Sequence, residues 1–377
     1  MKLVTTAGSL KSALRIVGQC IEARNTIPIL GCVVIDGRKA RGTDLDMEIE
    51  ASFPASQAKG SVAIHHRSLA QLVGNIPADQ TITIEGKDEV TLSFDGGLYS
   101  LLTLPAGDYP EMDKPSGPVI PASEQLNKAM RFALNFVSDE ETRYYLNGVC
   151  LDGETVVATN GHGLGAVKGG VAFDGRPIIP RKTVATLARI GDFRSMAIDD
   201  LRATFAFDGV AVHTKLIDGT FPEWQRVVPK IAPEAPRVTV RRSEFLAALK
   251  RVACFADGGR VKTVTLALYR EDCAITTVNA DRGTARERLS SAIVQNANDA
   301  PVAVSYDIRY LRLLCGAHAQ SETLTFAFND GGSPCAVSSE MDGYDSIVMP
   351  MRSGNDDNAV RSLQMLASAP AEQWRAA

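Results

Sequence analysis

The chain has 377 residues, of which 45% are hydrophobic and 22% are charged, and its formal net charge is −4 at pH 7. This length accommodates two or three domains of roughly 100–200 residues each, and the composition is typical of a globular protein. It excludes a collagen-like or low-complexity chain, and no apolar run reaches the roughly 18 residues that a transmembrane helix needs.

Cysteine usage indicates a reducing compartment. The seven cysteines are an odd number and include no C-x-x-C pair, which disfavours a zinc site or a disulfide framework. The segment MKLVTTAGSLKSALRIV is interrupted by polar residues every few positions, so it does not resemble a signal peptide. We therefore expect a cytoplasmic protein without a metal ion or cofactor.

Six helices are predicted in chain order. They span residues 9–20, 66–76, 123–137, 180–192, 242–255 and 304–316. Segments that alternate apolar and polar residues lie between them and predict strands, for example QTITIEG, EVTLSFDG, KTVTLALY and ETLTFAFND. We expect serine side chains to cap the first, third and fifth helices: Ser9, Ser123 and Ser243.

Four landmarks recur three times in the same order, which indicates an internal repeat. The second copy follows the first by 114, 116, 115 and 113 residues, and the third follows the second by 120, 118, 124 and 121. The landmarks are the three serines, a threonine that ends a strand, a leucine in a second helix and a phenylalanine before a turn: Thr43, Thr159, Thr277; Leu72, Leu187, Leu311; Phe94, Phe207, Phe328.

The repeat predicts three α+β domains of one design, each with two helices and about eight short strands. Proline-bearing links at 115–121 and 229–237 mark the boundaries between them. We therefore predict an N-terminal domain, a central domain, a C-terminal domain and a flexible tail, at residues 1–119, 120–235, 236–353 and 354–377.

Positive charge is concentrated on the predicted helices. They carry thirteen Lys and Arg and four acidic residues, so the rest of the chain holds 27 basic and 40 acidic groups. Helix surfaces are often charged, but a solvated face normally mixes both signs. A one-signed helical layer indicates a polyanion partner, and without a recognition-helix or zinc-finger motif its contacts would go to phosphates without sequence readout.

Several motifs resemble the β subunit of bacterial DNA polymerase III, the sliding clamp family: TRYYLNGV, VVATNGHGLGAV, KLIDGTFPEWQRVVPK, IVMPMR, and IPILG with GTDLDMEIE. The resemblance covers residues 1–353. It implies three DNA-clamp domains per subunit, in a head-to-tail homodimer ring with helices inside and sheets outside. Such a ring is a non-catalytic processivity subunit of a DNA polymerase holoenzyme; it encircles duplex DNA and binds the polymerase III α subunit, the clamp loader and other proteins with a clamp-binding motif.

The resemblance also implies two groups of site residues. The DNA-facing group is Lys11, Arg15, Arg24, Lys128, Arg131, Tyr144, Arg181, Lys182, Lys250, Arg251 and Arg309. The second group would form a pocket for apolar partner peptides: Arg143, Tyr145, Leu146, Thr159, Gly161, His162, Leu164, Pro222, Arg226, Val227, Ile347, Met349, Pro350, Met351 and Arg352.

The chain departs from the family pattern at two places near this pocket. The family usually has Asp-Gly-His-Arg where this chain has Asn160-Gly161-His162-Gly163, and it usually ends close to Arg352. The extra segment includes Ser-Leu-Gln-Met-Leu at 362–366, which loosely resembles a clamp-binding peptide. One hypothesis is that the tail occupies the pocket; the alternative is a terminal segment without a role.

The sequence also bears on two other functions. An enzyme is disfavoured because the chain lacks a P-loop, an H-E-x-x-H motif and a Rossmann fingerprint, and its five histidines lack ligand spacing. A clamp-like scaffold that binds partners but no longer encircles DNA stays open as an alternative, although the basic helices disfavour it.

Overall fold

The computed structural model describes residues 1–22, 25–86, 89–256, 262–279, 281–297 and 302–352. The chain divides into two compact units. Unit 1 comprises Met1–Asn127 and Pro177–Asp218, and unit 2 comprises Lys128–Arg176 and Gly219–Ala377.

The first third of the chain forms two helices among short strands. In order, these are β1 (Lys2–Thr6), α1 (Ala7–Val17), β2 (Cys32–Asp36), β3 (Lys39–Thr43), β4 (Met47–Ser52), β5 (Gln57–Lys59), β6 (Ser61–His65), α2 (His66–Gly74), β7 (Thr81–Gly86), β8 (Val90–Phe94), β9 (Gly97–Leu101) and β10 (Thr103–Leu104).

The middle third repeats this alternation of helices and strands. Its elements are β11 (Val119–Pro121), α3 (Glu124–Ala133), β12 (Gly148–Asp152), β13 (Thr155–Thr159), β14 (Gly163–Lys168), β15 (Ile178–Pro180), α4 (Arg181–Ile190), β16 (Ser195–Ile198), β17 (Arg202–Ala206) and β18 (Val210–Lys215).

The last third contains another pair of helices. Its elements are β19 (Arg237–Arg241), α5 (Arg242–Val252), β20 (Thr263–Tyr269), β21 (Asp272–Asn279), β22 (Gly283–Arg288), β23 (Ile293–Gln295), β24 (Val302–Asp307), α6 (Ile308–Ala317), β25 (Thr323–Ala327), β26 (Cys335–Ser338) and β27 (Tyr344–Val348).

Unit 1 packs its helices on antiparallel sheets. The sheets have the strand orders β5-β1-β7-β8-β9 and β10-β6-β2-β3-β4-β18-β17-β16-β11. Helix α1 buries Leu10, Leu14 and Val17, whose spacing of four and three residues places them on one face. This face contacts β3 and β4. Gly42 permits the close approach, since a Cβ there would lie 2.6 Å from Val17 Cγ1.

Unit 2 has a similar construction. Its strands follow the orders β12-β13-β14-β27-β26-β25-β19-β23 and β22-β21-β20-β24. Helices α5 and α6 pack on each other, and the Phe245 ring of α5 lies 5.1 Å from that of Phe326 on β25. Helix α6 adds Leu311 and Leu314 to the core, both 1% exposed. Apolar residues at helical spacing therefore cover one face of each sheet.

Two strand pairs join segments that the sequence assigns to different domains. Strand β4 pairs antiparallel with β18, and β14 pairs antiparallel with β27. As a result, the predicted central domain contributes β16–β18 to the large sheet of unit 1 and β12–β14 to that of unit 2. Each of these sheets is continuous across a predicted domain boundary.

The six predicted helices are confirmed in the part of the chain that the structure describes, although their boundaries shift by up to four residues and two predicted caps are wrong. Helix α6 begins at Ile308, because residues 302–307 form β24 and pair with β20. Ser123 caps α3, since its Oγ accepts from Leu126 N at 3.0 Å. Helices α1 and α5 begin earlier than their serines: Thr6 accepts from Ser9 N at 3.3 Å, and α5 starts after Arg241.

Within the described ranges, no helix is both long and apolar enough to cross a membrane.

Candidate functional site

A cavity of about 260 Å³ opens on unit 2. Ten of the fifteen residues predicted for the peptide pocket line it, and three lining residues were not predicted: Gly163, Glu223 and Trp224. The predicted residues that the cavity brings together are Arg143, Tyr145, Leu146, Thr159, Gly161, Leu164, Pro222, Val227, Ile347 and Met349.

The floor of the cavity is apolar and rigid. Leu164 on β14 and Ile347 on β27 are cross-strand partners, and they are 3% and 4% exposed. Leu146, which ends the 3₁₀ turn Glu141–Leu146, is 3% exposed. Because strand pairing and burial hold these side chains, the floor is formed before any ligand arrives.

The turn between β13 and β14 is held by side chains. Asn160 Oδ1 accepts hydrogen bonds from the backbone N–H of His162 at 2.9 Å and of Gly163 at 2.8 Å. Thr159 Oγ1 donates to Gly163 O at 2.8 Å and accepts from Gly161 N at 3.1 Å. An amide oxygen thus supplies the acceptor that a carboxylate could supply at the same position, without its charge.

Gly161 lets the turn approach an arginine at the rim. Its φ is +84°, and a Cβ there would lie 2.6 Å from Arg143 Nη1, so a side chain at this position would displace the guanidinium. Arg143 donates from Nε to Glu140 Oε2 at 2.8 Å and also bonds it through Nη2. Hydrogen bonds from Arg143 and Thr142 hold the pKa of Glu140 below its usual value.

Gly163 removes a side chain from the cavity wall. A Cβ at this position would make only ordinary contacts, with its nearest neighbour Phe136 Cδ1 at 3.5 Å. A Cβ therefore fits at this position, and the absence of a side chain leaves Gly163 as a smooth part of the wall.

One wall of the cavity is a loop tied down by a side-chain network. The Trp224 indole N–H donates to Asp152 Oδ2 at 2.8 Å, and Arg176 Nη2 lies 3.2 Å from the same oxygen. Arg176 also donates to Glu223 Oε1 and to Pro222 O, each at 2.9 Å. Sequence reasoning missed this network, although the motif KLIDGTFPEWQRVVPK contains Trp224, and a half-buried indole N–H requires a hydrogen-bond acceptor.

Five predicted pocket residues lie outside the cavity lining: His162, Arg226, Pro350, Met351 and Arg352. The His162 ring stacks on Tyr310 with centroids 4.9 Å apart, and its carbonyl accepts from Met349 N at 2.8 Å. Met351 N donates to Ser305 O at 2.7 Å, which directs the chain along β24. Arg226 and Arg352 are exposed.

These features suit an extended peptide with apolar side chains. Leucine, isoleucine and valine side chains provide the apolar surface, and Met349 provides a flexible thioether that adapts to different shapes. A few polar groups, such as Thr159 and Arg143, lie at the edge, as is usual for ligand pockets.

The α-helices carry charge of one sign almost throughout. With the observed bounds, the six helices of the described chain carry thirteen Lys and Arg but two acidic residues, Glu124 and Glu244. The bias exceeds the predicted one because Asp192 and Asp307 lie outside the helices.

Ion pairs divide the predicted DNA-facing residues into two classes. Lys182 bonds Asp44, Arg251 bonds Glu287, and Arg309 binds Asp307 through Nε at 3.0 Å and Nη2 at 2.6 Å. The hydrogen bonds that Arg251 donates to Glu287 and Arg309 donates to Asp307 accordingly raise the pKa of both arginines. By contrast, three exposed cations form neither an ion pair nor a side-chain hydrogen bond within the described ranges: Arg15, Arg181 and Lys250.

The remaining DNA-facing residues have individual surroundings. Lys11 donates to Gly74 O at 3.2 Å. Lys128 and Arg131 on α3 line a shallow depression of about 190 Å³. Tyr144 is 53% exposed, and its ring lies edge-on to Tyr145. Arg24 lies outside the described residues.

Two basic helices among antiparallel strands in each third of the chain, together with an apolar cavity beside β27, define the class of processivity clamps. The chain belongs to the DNA polymerase III beta subunit family. Models of the family's N-terminal, central and C-terminal domains match residues 1–113, 122–223 and 225–352. These matches confirm the three-domain architecture, whereas the boundaries predicted at 119, 235 and 353 stay predictions.

Individual relatives agree with this assignment. The chain is 31% identical over 380 residues to the beta sliding clamp of Caulobacter vibrioides, covering 93% of this chain and 100% of that one. The sliding clamp of Bartonella birtlesii bound to griselimycin has a TM-score of 0.85 and 26% identity, with 94% of this chain and 100% of that chain covered. The Caulobacter crescentus clamp has a TM-score of 0.82 at 29% identity, with the same coverage.

Proposed function

We propose that the protein is a DNA sliding clamp for replication, a non-catalytic processivity factor that tethers a polymerase to its template. The observation that carries this function is the basic character of all six helices in a member of the beta subunit family, because a one-signed helical layer suits a polyanion. The working form is a head-to-tail homodimer ring in the cytoplasm. A head-to-tail interface whose rotation closes gives a ring and not a filament.

The proposed contacts with DNA go to phosphates and carry no sequence information. Such contacts are weak at physiological salt, but a closed ring needs no strong contact because it cannot leave a circle without opening. Arg15, Arg181 and Lys250 are the cations most available for this role, since no ion pair with a described residue competes for them.

The cavity of unit 2 would receive the apolar peptides of the polymerase III α subunit, the clamp loader and other partners. Its buried floor of Leu146, Leu164 and Ile347 supports this role. The neutral Asn160 and Gly163 change the charge around the cavity relative to the usual family sequence. We infer that partner peptides of this clamp depend less on an acidic residue at this side.

A loading assay tests the function. Clamp loaded on a nicked circle by a clamp loader should stay bound and should be released after the circle is linearised. In sedimentation at micromolar concentration, the mass should be about twice the 40.4 kDa of one chain. A monomer there, or equal retention on linear and circular DNA, would contradict the ring and favour a scaffold or ordinary electrostatic binding.

The tail hypothesis concerns residues outside the described part of the chain. Residues 354–377 follow Arg352 and the cavity-lining Met349 closely in sequence, and a flexible tether of about twelve residues spans roughly 20 Å. If the tail competes for the cavity, deletion of residues 354–377 raises the affinity for a partner peptide several-fold. An unchanged affinity would support the alternative, a segment without a role in binding.

A further inference from the structure

Three potential metal ligands meet on one face of the large sheet of unit 1. Glu48 and Glu50 are two residues apart on β4, so they point to the same face, and His213 on β18 lies directly opposite Glu48. One ligand atom from each of the three side chains lies within 4.8 Å of the other two. Sequence spacing could not reveal this group, because β4 and β18 are far apart in the chain.

Two of the three side chains present buried polar atoms without hydrogen bonds. Glu48 is 1% exposed and His213 is 2% exposed. Neither Glu48 Oε2 nor His213 Nε2 has a hydrogen-bond partner among the described residues. Leaving such atoms unsatisfied is costly, and native structures seldom do so without a bound species to compensate. The lack of hydrogen bonds at these two atoms therefore points to a bound ligand independently of the clustering of the three side chains.

The histidine is oriented as a metal ligand usually is. Its Nδ1 is hydrogen-bonded to Thr204 Oγ1 at 2.8 Å, which fixes the ring and leaves Nε2 directed toward Glu50 Oε1, 3.9 Å away. That separation is too long for a hydrogen bond but leaves room for an ion between the two atoms.

The neighbouring lysine and arginine side chains leave the two carboxylates accessible to a metal ion. Lys39 and Lys114 contact the Glu50 carboxylate at 3.4 and 3.3 Å, but their side chains are 61% and 58% exposed and can turn into solvent. Arg41 Nη1 lies 3.5 Å from Glu48 Oε2 and 2.9 Å from Glu111. It therefore lies closer to Glu111, and Glu48 Oε2 has no hydrogen bond among the described residues.

We propose that Glu48, Glu50 and His213 bind one divalent transition-metal ion of the zinc class, with water as the remaining ligand. Two carboxylate oxygens and one imidazole nitrogen are donors that zinc accepts, and three protein ligands plus water is a common zinc coordination. The ion would tie β4 to β18, and therefore the predicted N-terminal domain to the predicted central domain. This site does not depend on the proposed clamp function.

The test measures the binding of Zn²⁺, with no other ligand, to the full-length chain. All variants carry Cys254→Ser, because Cys254 is an exposed thiol that would bind zinc itself. After treatment with a chelator, isothermal titration should show one Zn²⁺ per chain. His213→Gln should abolish this binding, and Glu50→Gln should weaken it at least about tenfold. His65→Gln, which alters an exposed histidine elsewhere in unit 1, should bind as the parent does.

A gain of affinity provides the sharper test. Lys114→Ala removes the cation beside the Glu50 oxygen that faces His213 and should tighten Zn²⁺ binding several-fold, whereas Lys59→Ala at an exposed site should not. Zn²⁺ should also raise the melting temperature of the parent but not that of His213→Gln. A parent that binds no Zn²⁺, or equal binding by parent and His213→Gln, would overturn the proposal. If His213→Gln does not fold, unchanged affinities of Glu50→Gln and Lys114→Ala would overturn it equally.

Discussion

The indole N–H of Trp224 donates a hydrogen bond to Asp152 Oδ2 at 2.8 Å, linking the 3₁₀ turn Trp224–Val227 to the end of β12. The segment that carries Pro222, Glu223 and Trp224 pairs with no strand of the described chain. Its position as a cavity wall therefore depends on this bond and on the hydrogen bonds of Arg176. A long-range side-chain network, and not a β-ladder, completes the candidate peptide site.

Removal of the Asp152 carboxylate should loosen this wall. Asp152→Ala leaves the Trp224 indole without its acceptor and Arg176 without one of its carboxylates. We expect the affinity for an apolar partner peptide to fall several-fold to about tenfold, since each lost bond to a charged group is worth roughly 1.5–3 kcal/mol, part of which rearrangement recovers. Asp152→Asn keeps an acceptor and should retain most of the affinity in titration calorimetry. Equal affinities of Asp152→Ala and the parent would show that the wall holds without the network.

Truncation of a side chain that lines the cavity should weaken peptide binding more than truncation of a neighbouring side chain that does not line it. Leu164→Ala and Met349→Ala each remove a lining side chain and should cost about 1–3 kcal/mol, or roughly a five- to hundred-fold higher Kd. Met351→Ala is the matched control, because Met351 follows two residues later but does not line the cavity. Fluorescence anisotropy with a labelled peptide measures the difference, and circular dichroism checks the fold. Equal losses for Met349→Ala and Met351→Ala would contradict this placement.

Local patterns and the family motifs predicted much of the cavity, and tertiary packing decided the rest. Leu164 and Ile347 belong to quoted motifs, and strand pairing brings them together. Met351 and His162 belong to equally specific motifs, but Met351 turns to β24 and the His162 ring stacks on Tyr310. Trp224 was missed because its role depends on Asp152, 72 residues away.

Adjacent residues on α4 allow a test of the DNA-facing surface. Arg181 is exposed and forms no ion pair within the described chain, whereas Lys182 bonds Asp44 and lies 3.7 Å from Glu22. Arg181→Ala should shorten retention on circular DNA and reduce the salt dependence of log K by about 0.9 for each phosphate that the protein no longer neutralises. Lys182→Ala should change that slope little, because its ammonium is committed to Asp44. Similar slopes for both variants would mean that ion pairing in the free protein does not decide which cations bind DNA.

The helices were predictable because their apolar spacing and charge bias are local features. The first residues of the helices were harder to predict. For example, the strand that leads into α1 ends at Thr6, which caps the helix in place of Ser9. The division of the central repeat between two sheets has no local signature, because β4–β18 and β14–β27 pairing is decided by residues far apart in sequence. The group formed by Glu48, Glu50 and His213 could not be predicted for the same reason.

His318 should make the stability of the protein depend on pH in the acidic range. It is 0% exposed, and its ring nitrogens are hydrogen-bonded to Ser339 and Ser346, each at 2.9 Å. Burial lowers its pKa to about 4, while the Glu340 carboxylate acts in the opposite direction. The unfolded chain, with an ordinary imidazole pKa near 6.5, then binds more protons than the folded one between pH 6.5 and 4.

The contribution of His318 to the free energy of unfolding should therefore be fully present above pH 6.5. It should decrease as the pH falls, and about 3 kcal/mol of it should be lost at pH 4. In urea unfolding, His318→Gln should lower stability at pH 7, because a glutamine amide cannot bridge both serines with the same geometry. It should also flatten the loss between pH 6.5 and 4 relative to the parent, because glutamine does not titrate. The exposed His65→Gln serves as the matched control and should keep the parent's slope. If His318→Gln loses stability with falling pH as steeply as the parent, the acid sensitivity comes from other groups, such as His213 or His66, whose pKa values burial also lowers.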